Sequence, residues 1–143
     1  MGLTIRDAQP DDSAAIADLL GQLGYPTDAH AVEGRLQRLR IVGDRVVVAD
    51  IDGMVTGLAH LQVGPTIEYD RPAAKLAALV VDESHRGGGI GRALVAAIED
   101  EARLRGCELL YLTTSERRDD AHSFYERIGL EHTGRRYSRA LTQ

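Results

Sequence analysis

Residues 80–92 are the part of the sequence best suited to chemistry. They read VVDESHRGGGIGR and place four glycines and two arginines between an apolar run and a run with helical spacing. Glycines let the backbone approach a phosphate closely, and the first N–H groups of a helix carry about half a positive charge. Arg86 and Arg92 add cationic side chains. The pattern predicts a binding site for a ligand that contains phosphate.

Two common phosphate loops do not match this segment. The loop of nucleotide triphosphatases needs a lysine and then a hydroxyl residue after its last glycine, but Gly91 is followed by Arg92 and Ala93. The dinucleotide fingerprint needs a third glycine where Leu94 stands, and it usually opens a domain, whereas this loop lies in mid-chain. Both functions are therefore disfavoured.

The elements ahead of the loop follow from apolar spacing and turn residues. Period-2 and β-branched runs indicate strands, and apolar residues at 3.6-residue spacing indicate helices. The prediction is a strand over Leu3–Ala8, a helix over Ala14–Leu23 capped within 10–13, a second, shorter helix carrying Val32, Leu36 and Leu39, and a hairpin of Arg45–Ile51 and Met54–Val63 turned at Asp52-Gly53.

The elements around and after the loop complete an α/β pattern. The run Leu76–Val81 is almost wholly apolar, which predicts a central strand, Lys75–Asp82, that is covered on both faces. Next come a helix from Ile90 to Gly106, a strand over Leu109–Thr113, a helix capped by Asp119 or Asp120 that passes Phe124 and Ile128 and ends at Gly129, and one or two strands within Glu131–Leu141. One central sheet in a mixed α/β fold is expected.

Arg86, Gly89 and Gly91 match the pattern Arg/Gln-x-x-Gly-x-Gly/Ala. This resembles the coenzyme A pyrophosphate loop of the GNAT superfamily of N-acetyltransferases, and the order of elements is similar over nearly the whole chain. For a lone Gly-x-Gly, close helix–strand packing would be the simpler interpretation. The resemblance implies one N-acetyltransferase domain over residues 1–143. It also implies a central mixed, mostly antiparallel sheet flanked by helices, with a V-shaped splay between the two central strands.

The resemblance also implies that acetyl-coenzyme A is the cosubstrate. Its pantetheine arm would bond along Leu79, Val80 and Val81, where a backbone N–H would polarise the acetyl carbonyl. Many relatives carry an asparagine after the next strand, where this chain has Thr114-Ser115, so the Ser115 hydroxyl is the candidate replacement. The implied pyrophosphate contacts are Arg86, Gly87, Gly88, Gly89, Ile90, Gly91 and Arg92.

The segment Ala121–Leu130 is similar to the family's late helix, in which an aromatic pair precedes a glycine and an apolar residue. The tyrosine at the position of Tyr125 lies near the thioester sulfur in that family, which makes Tyr125 the implied general acid. A phenol has a reference pKa of about 10, so it is protonated at neutral pH and can protonate a thiolate. Alternatively, Tyr125 and Phe124 anchor the helix in the core.

The amine must lose a proton before or during attack, and the sequence does not choose the base. A carboxylate, an imidazole or a water path could accept this proton, and exposed carboxylates are ordinary surface groups. The candidates are Glu83, Glu68, Asp70, His60 and His122.

Composition limits the class of protein. With 143 residues, 17 basic and 22 acidic side chains and a net charge of −5, nucleic acid and anionic membranes are disfavoured as partners. The sequence carries no long apolar span and no export leader, so a cytoplasmic location is the expectation. The single cysteine, Cys107, cannot form an internal disulfide or a metal cluster, and no metal site is expected.

The leading hypothesis is direct transfer of an acetyl group to the primary amine of a small, cationic molecule. No cysteine is placed to form an acyl-enzyme, and the acidic balance favours a cationic acceptor. The alternatives are a noncatalytic acetyl-coenzyme A sensor or recruitment domain and an acetyltransferase for protein amines. Relatives commonly form homodimers, but no feature of the sequence fixes an interface.

Overall fold

The computed structural model describes residues 2–113 and 119–141. The chain divides into two compact units, residues 1–111 and residues 112–143. Among the described residues, the first unit contains the sheet and three α-helices, and the second contains one α-helix. Within the described ranges, no helix is long and apolar enough to cross a membrane.

The first unit is built on a five-stranded sheet in the order β1-β2-β3-β4-β5. Neighbouring strands are antiparallel except for β4 and β5, which are parallel. The sheet is therefore mixed and mostly antiparallel, as predicted. Its strands are β1 (Leu3–Asp7), β2 (Arg45–Ile51), β3 (Met54–Gly64), β4 (Ala73–Val81) and β5 (Leu109–Tyr111).

The helices of the first unit cover both faces of this sheet. They are α1 (Ser13–Leu23), α2 (Ala29–Ile41) and α3 (Ile90–Leu104). Leu58 packs in a core cluster with residues of α1 and α2, whereas a side chain at its neighbour Gly57 would contact Ile90 and Leu94 of α3. Because adjacent strand residues point to opposite faces, α3 covers the face opposite to α1 and α2.

Local sequence signals explain most element boundaries. The hairpin turn lies at Asp52-Gly53, with φ of 50° and 90°, as the Asp-Gly pair predicts for a two-residue turn. Asp28 caps α2 through a bond from the Ala31 N–H at 2.7 Å. One expectation about α2 is wrong: it has 13 residues and is longer than α1, which has 11. Only Val32 of α2 is fully buried, so apolar spacing marked just the central part of the helix.

The second unit contains α4 (Asp119–Arg127), which confirms the predicted late helix. The helix ends as expected at Gly129, whose φ of 95° lies in the left-handed region. The prediction of one or two final strands is wrong, because residues 131–141 form neither helix nor strand. Their side chains are exposed, so the segment lacks the half-buried face that stabilises a strand.

Candidate active site

The parallel pairing of β4 with β5 covers only one end of β4. Residues 73–75 pair with residues 109–111, and the pairing with β5 stops there although β4 continues to Val81. Ala77 is an extra residue in β4, since His60 pairs with Ala78 and Leu61 pairs with Leu76. A bulge of this kind bends its strand and increases the local twist. The predicted splay would lie beyond Lys75, where the described residues of β5 no longer pair with β4.

The far half of β4 presents backbone groups to the splayed edge. The Asp82 N–H donates to the Thr56 carbonyl on β3 at 2.8 Å. Successive residues in an antiparallel pair turn their polar backbone groups to opposite edges, so Val80 also bonds toward β3. The N–H and C=O of Leu79 and Val81 then point away from β3, consistent with the bond from Arg86 Nε to the Val81 carbonyl at 3.3 Å. The expected backbone contact from Val80 does not fit this alternation, whereas those from Leu79 and Val81 do.

The loop after β4 leads into the N-terminal end of α3, which no side chain of the described residues caps. Gly89 is the N-cap of α3 with φ of 86°. The first bond of the helix runs from the Ala93 N–H to the Gly89 carbonyl at 3.1 Å. The amides of Ile90, Gly91 and Arg92 consequently have no acceptor within the helix. Such a helix end is suited to bind an anion.

The other residues of the predicted pyrophosphate site lie at the same place. Gly87, Gly88 and Gly89 are exposed, as are the side chains of Arg86 and Arg92. Ile90 differs, because it is 4% exposed and packs toward β3, so only its backbone is available to a ligand. The segment thus combines free backbone amides with two exposed cations, and it fits a diphosphate.

A carboxylate that the sequence did not single out organises the start of this loop. Asp82 accepts bonds from the Ser84 N–H at 3.2 Å, from the Ser84 hydroxyl and from His85 Nδ1 at 3.0 Å. Gln22, at the end of α1, donates to the same carboxylate at 2.8 Å. The Ser84 hydroxyl, then Gln22 and His85, hold the pKa of Asp82 well below its usual range. Asp-x-Ser just after a strand was the available signal for Asp82, whereas Gln22 lies 60 residues away in the chain.

In the second unit, the predicted general acid lies on α4. The rings of Tyr125 and Phe124 meet edge to face, with centroids 5.5 Å apart and planes at 63°. Both side chains are half-buried. This contact between neighbouring residues distinguishes neither role, so the anchoring role and the proton-transfer role of Tyr125 both stay predictions.

The candidate bases fall into different environments. His60 Nε2 lies 2.8 Å from Asp44 Oδ2, and both side chains are mostly buried, so His60 is a partnered structural residue. Glu83 belongs to the turn before the glycine loop, where its backbone N–H donates to Gln22 Oε1 at 2.9 Å. Glu68 and Asp70 are exposed in the loop before β4. His122 lies on α4 and is half-buried.

Two further residues from the sequence analysis are Cys107 and Ser115. Burial raises the pKa of the half-buried Cys107 thiol, so little thiolate forms at neutral pH, in agreement with direct transfer. Ser115, the candidate replacement for the asparagine of relatives, lies outside the described residues.

Comparison with known proteins now identifies the family. Residues 14–130 match the model of the acetyltransferase (GNAT) family. The aminoalkylphosphonate N-acetyltransferase of Salmonella typhimurium is 37% identical over 63% of this chain and 58% of its own length. The aminoglycoside N(6')-acetyltransferase type 1 of Stenotrophomonas maltophilia is 32% identical over 92% of this chain and 88% of its own length.

The solved structures agree with these relatives. The crystal structure of an acetyltransferase from Trypanosoma brucei superposes with a TM-score of 0.84 at 26% identity, covering 98% of this chain and 100% of that one. The predicted fold class is thus confirmed. The chain belongs to the acetyltransferase (GNAT) family, and its predicted class, an acetyl-coenzyme A-dependent N-acetyltransferase, is confirmed with it.

Proposed function

We propose that the chain transfers the acetyl group of acetyl-coenzyme A directly to the primary amine of a small, cationic acceptor. The pyrophosphate would bind the backbone amides at the start of α3 and the side chains of Arg86 and Arg92. The pantetheine arm would bond to the splayed edge of β4 at Leu79 and Val81. Ser115 remains a proposed contact by resemblance alone.

The observation that carries this proposal is the junction between β4 and α3. The half of β4 that does not pair with β5 leads directly into a loop whose glycines expose the uncapped amides of α3. A strand edge suits the amides of an extended pantetheine arm, and the helix end suits its diphosphate. Along the chain, the strand edge proposed for the pantetheine arm is therefore followed by the helix end proposed for the diphosphate. These two groups are likewise adjacent in coenzyme A.

The chemistry needs one bond to form and one to break. The amine nitrogen attacks the thioester carbonyl, and a backbone N–H of the splayed β4 edge stabilises the oxygen anion that forms. The intermediate then collapses, the C–S bond breaks, and the thiolate leaves. In our proposal Tyr125 donates a proton to that thiolate, the attacking nitrogen gives up a proton to solvent or a carboxylate, and the Tyr125 phenolate is then reprotonated from solvent.

Glu83 is a poor choice for the base that accepts this proton. It lies in the turn that precedes the proposed pyrophosphate site, whereas the loop that carries Glu68 and Asp70 precedes the other end of β4. The nine residues of β4 separate these two ends by about 26 Å, at about 3.3 Å per residue. Glu68 and Asp70 are therefore the better candidates to attract or deprotonate an amine.

Charge supports a cationic acceptor. The net charge is −5, and the exposed loop 65–72 carries Glu68 and Asp70. This loop is fastened by bonds from the Arg71 N–H to Glu108 at 2.9 Å and from the Glu108 N–H to the Pro72 carbonyl at 3.0 Å. The two similar proteins named above act on an aminoalkylphosphonate and an aminoglycoside. The first substrate carries an anionic phosphonate as well as its amine, and the second carries amines without such an anion.

The test is amine-dependent release of the coenzyme A thiol, with the acetylated product identified by mass. The panel should contain an aminoglycoside, a polyamine, an aminoalkylphosphonate, an amino acid and a lysine peptide. We expect turnover with the polycationic small molecules. Turnover with the lysine peptide alone would contradict the small acceptor, and turnover with the phosphonate alone would contradict the cationic one.

The same assay tests the proposed acid. Tyr125→Phe should lower kcat about a hundredfold with little change in KM, because it removes only the transferable proton. Tyr137→Phe is the matched control, since Tyr137 is 88% exposed. Equal kcat for Tyr125→Phe and the natural chain would remove Tyr125 from the mechanism.

A further inference from the structure

The carboxamide of Gln22 joins α1 to the turn before the phosphate loop. Its nitrogen donates to Asp82 Oδ1 at 2.8 Å and to Asp18 Oδ2 at 3.0 Å. Its oxygen accepts the backbone N–H of Glu83 at 2.9 Å. Both N–H groups and the carbonyl of the amide are thereby used, which fixes the orientation of the side chain.

Asp82 links Gln22 to the residues of the following turn through hydrogen bonds. One of its oxygens binds Gln22, and the other binds Ser84 and His85. Its own backbone N–H is bonded to Thr56 on β3. The turn Glu83–His85 is consequently held from α1 and from the sheet, immediately before Arg86.

The segment that follows has few restraints of its own. Gly87 and Gly89 have φ of 87° and 86°, and the three glycines at 87–89 are exposed. Packing of Ile90 and Leu94 fixes the loop at its α3 end. Gln22 and Asp82 fix its other end. A loop held at both ends loses less conformational freedom when it binds a ligand, and this strengthens binding.

We propose that Gln22 is a positioning residue for the coenzyme A pyrophosphate loop, acting through Asp82 and the backbone of Glu83. The inference rests on the proposed function of that loop. It assigns the end of α1 a role in cosubstrate binding, although Gln22 itself does not contact the cosubstrate. The Asp82 carboxylate beside this proposed anion site is itself stabilised by hydrogen-bond donors from α1 and from the turn.

The experiment combines amide hydrogen exchange of the free protein with calorimetric titration of acetyl-coenzyme A. The variants are Gln22→Ala, which removes all three bonds, and Gln22→Glu, which keeps the size and places a second carboxylate beside Asp82. Gln37→Ala, an exposed glutamine on α2, is the matched control. The Glu83, Ser84 and His85 amides report the turn, and those of Val47, Val48 and Ala49 report the fully buried part of β2.

We expect Gln22→Ala to speed exchange in the turn at least fivefold, to leave β2 unchanged and to weaken acetyl-coenzyme A binding about tenfold. Gln22→Glu should weaken binding at least as much at pH 7.5, and it replaces Gln22→Ala if that variant does not fold. Gln37→Ala should change neither quantity.

Unchanged affinity in both Gln22 variants, with binding by the natural chain, would overturn the positioning role and leave the proposed function standing. Equal acceleration of exchange in the turn and in β2 would also overturn it, since the affinity loss would then report global destabilisation. A natural chain that does not bind acetyl-coenzyme A would refute the proposed function itself.

Discussion

The two ends of α3 differ in how their polar groups are satisfied. At the N-terminal end, the first amides have no side-chain cap among the described residues, and exposed glycines precede them. At the C-terminal end, Glu101 binds Arg45 and Arg105, both at 2.9 Å. Arg45 also binds Asp7 at 2.7 Å, and Arg105 donates to the Gly43 carbonyl at 2.6 Å. The N-terminal donors thus lack a side-chain partner among the described residues, whereas the C-terminal charges are paired within the protein.

A cavity shows the same contrast. A cavity of about 500 Å³ lies at the C-terminal end of α3, and Arg45, Glu101 and Arg105 contribute to its wall. Its charged groups are bonded largely to one another, so space alone does not make it a binding site. The proposed cosubstrate site is an open strand edge and helix end instead. The comparison predicts that changes at the N-terminal end alter acetyl-coenzyme A binding, whereas changes at the C-terminal end alter stability and leave binding unchanged.

The largest effect is expected where α3 meets the sheet. A Cβ on Gly57 would lie 2.9 Å from Leu94, 3.2 Å from Ile90 and 3.3 Å from the Val80 carbonyl. Gly57→Val should therefore lower the free energy of unfolding by about 3 kcal/mol, measured by urea titration. It should also weaken acetyl-coenzyme A binding, because Ile90 sets the position of the first turn.

Gly64→Val on the same strand is the matched control, since no atom lies within 4 Å of its added Cβ. It should have little effect on stability. Equal losses in the two variants would show that close packing at Gly57 does not position the N-terminal end of α3.

An intermediate effect is expected at the C-terminal end. Glu101→Gln should lower the free energy of unfolding by about 1.5 kcal/mol at pH 7 and leave acetyl-coenzyme A binding unchanged. Bonding to Arg105, aided by the charge of Arg45 and opposed by burial, lowers the pKa of Glu101. The ionised Glu101 carboxylate therefore stabilises the protein fully above the ordinary glutamate pKa of about 4.3. This stabilisation is lost as the pH falls below that value.

The difference in stability between the natural chain and Glu101→Gln should thus shrink as the pH falls below about 4.3, when both are unfolded by urea at a series of pH values. Glu99→Gln on the same helix is the control, because its bond to Arg103 is 3.4 Å long and exposed. A pH-independent difference for Glu101→Gln would contradict an ionised network.

The smallest effects are expected for one arginine at each end of α3, where the changes in stability should have opposite signs. Arg92→Ala removes a cation from the first turn of α3, so it should weaken acetyl-coenzyme A binding about fivefold, or about 1 kcal/mol, while slightly stabilising the helix. Arg103→Ala in the last turn should slightly destabilise the protein and leave binding unchanged. Titration calorimetry measures acetyl-coenzyme A binding by both variants, and thermal unfolding measures their stability. Weaker binding in both variants would contradict the difference between the two ends.

Sequence patterns predicted the parts of the fold that depend on neighbouring residues. Asp52-Gly53 fixed the hairpin, apolar spacing gave α3, and Gly129 marked the end of α4. The glycine loop was also predictable, because its function needs residue types that are visible in one short segment. The length of α2 was underestimated, since most of its surface is polar and only one residue is fully buried.

The remaining features depend on contacts between distant residues. The bulge at Ala77 lies in an apolar run that gives no sign of an extra residue. The bond from Gln22 to Asp82 joins residues 60 positions apart, and nothing in the helical pattern of α1 distinguishes Gln22 from an ordinary exposed glutamine. The expectation of one or two final strands within Glu131–Leu141 was wrong, because the segment contains little apolar alternation.

The most direct test of the account is acetyl-coenzyme A binding by Gly88→Asp and Gly88→Asn. Gly88 is exposed, it has no left-handed φ, and its added Cβ would lie an ordinary 3.7 Å from the His85 carbonyl, so both side chains fit. The two variants differ only in charge. We predict micromolar binding by the natural chain, a change within a few-fold for Gly88→Asn and a loss of more than tenfold, about 1.4 kcal/mol or more, for Gly88→Asp. Equal affinities for the two variants would contradict a pyrophosphate site at the start of α3.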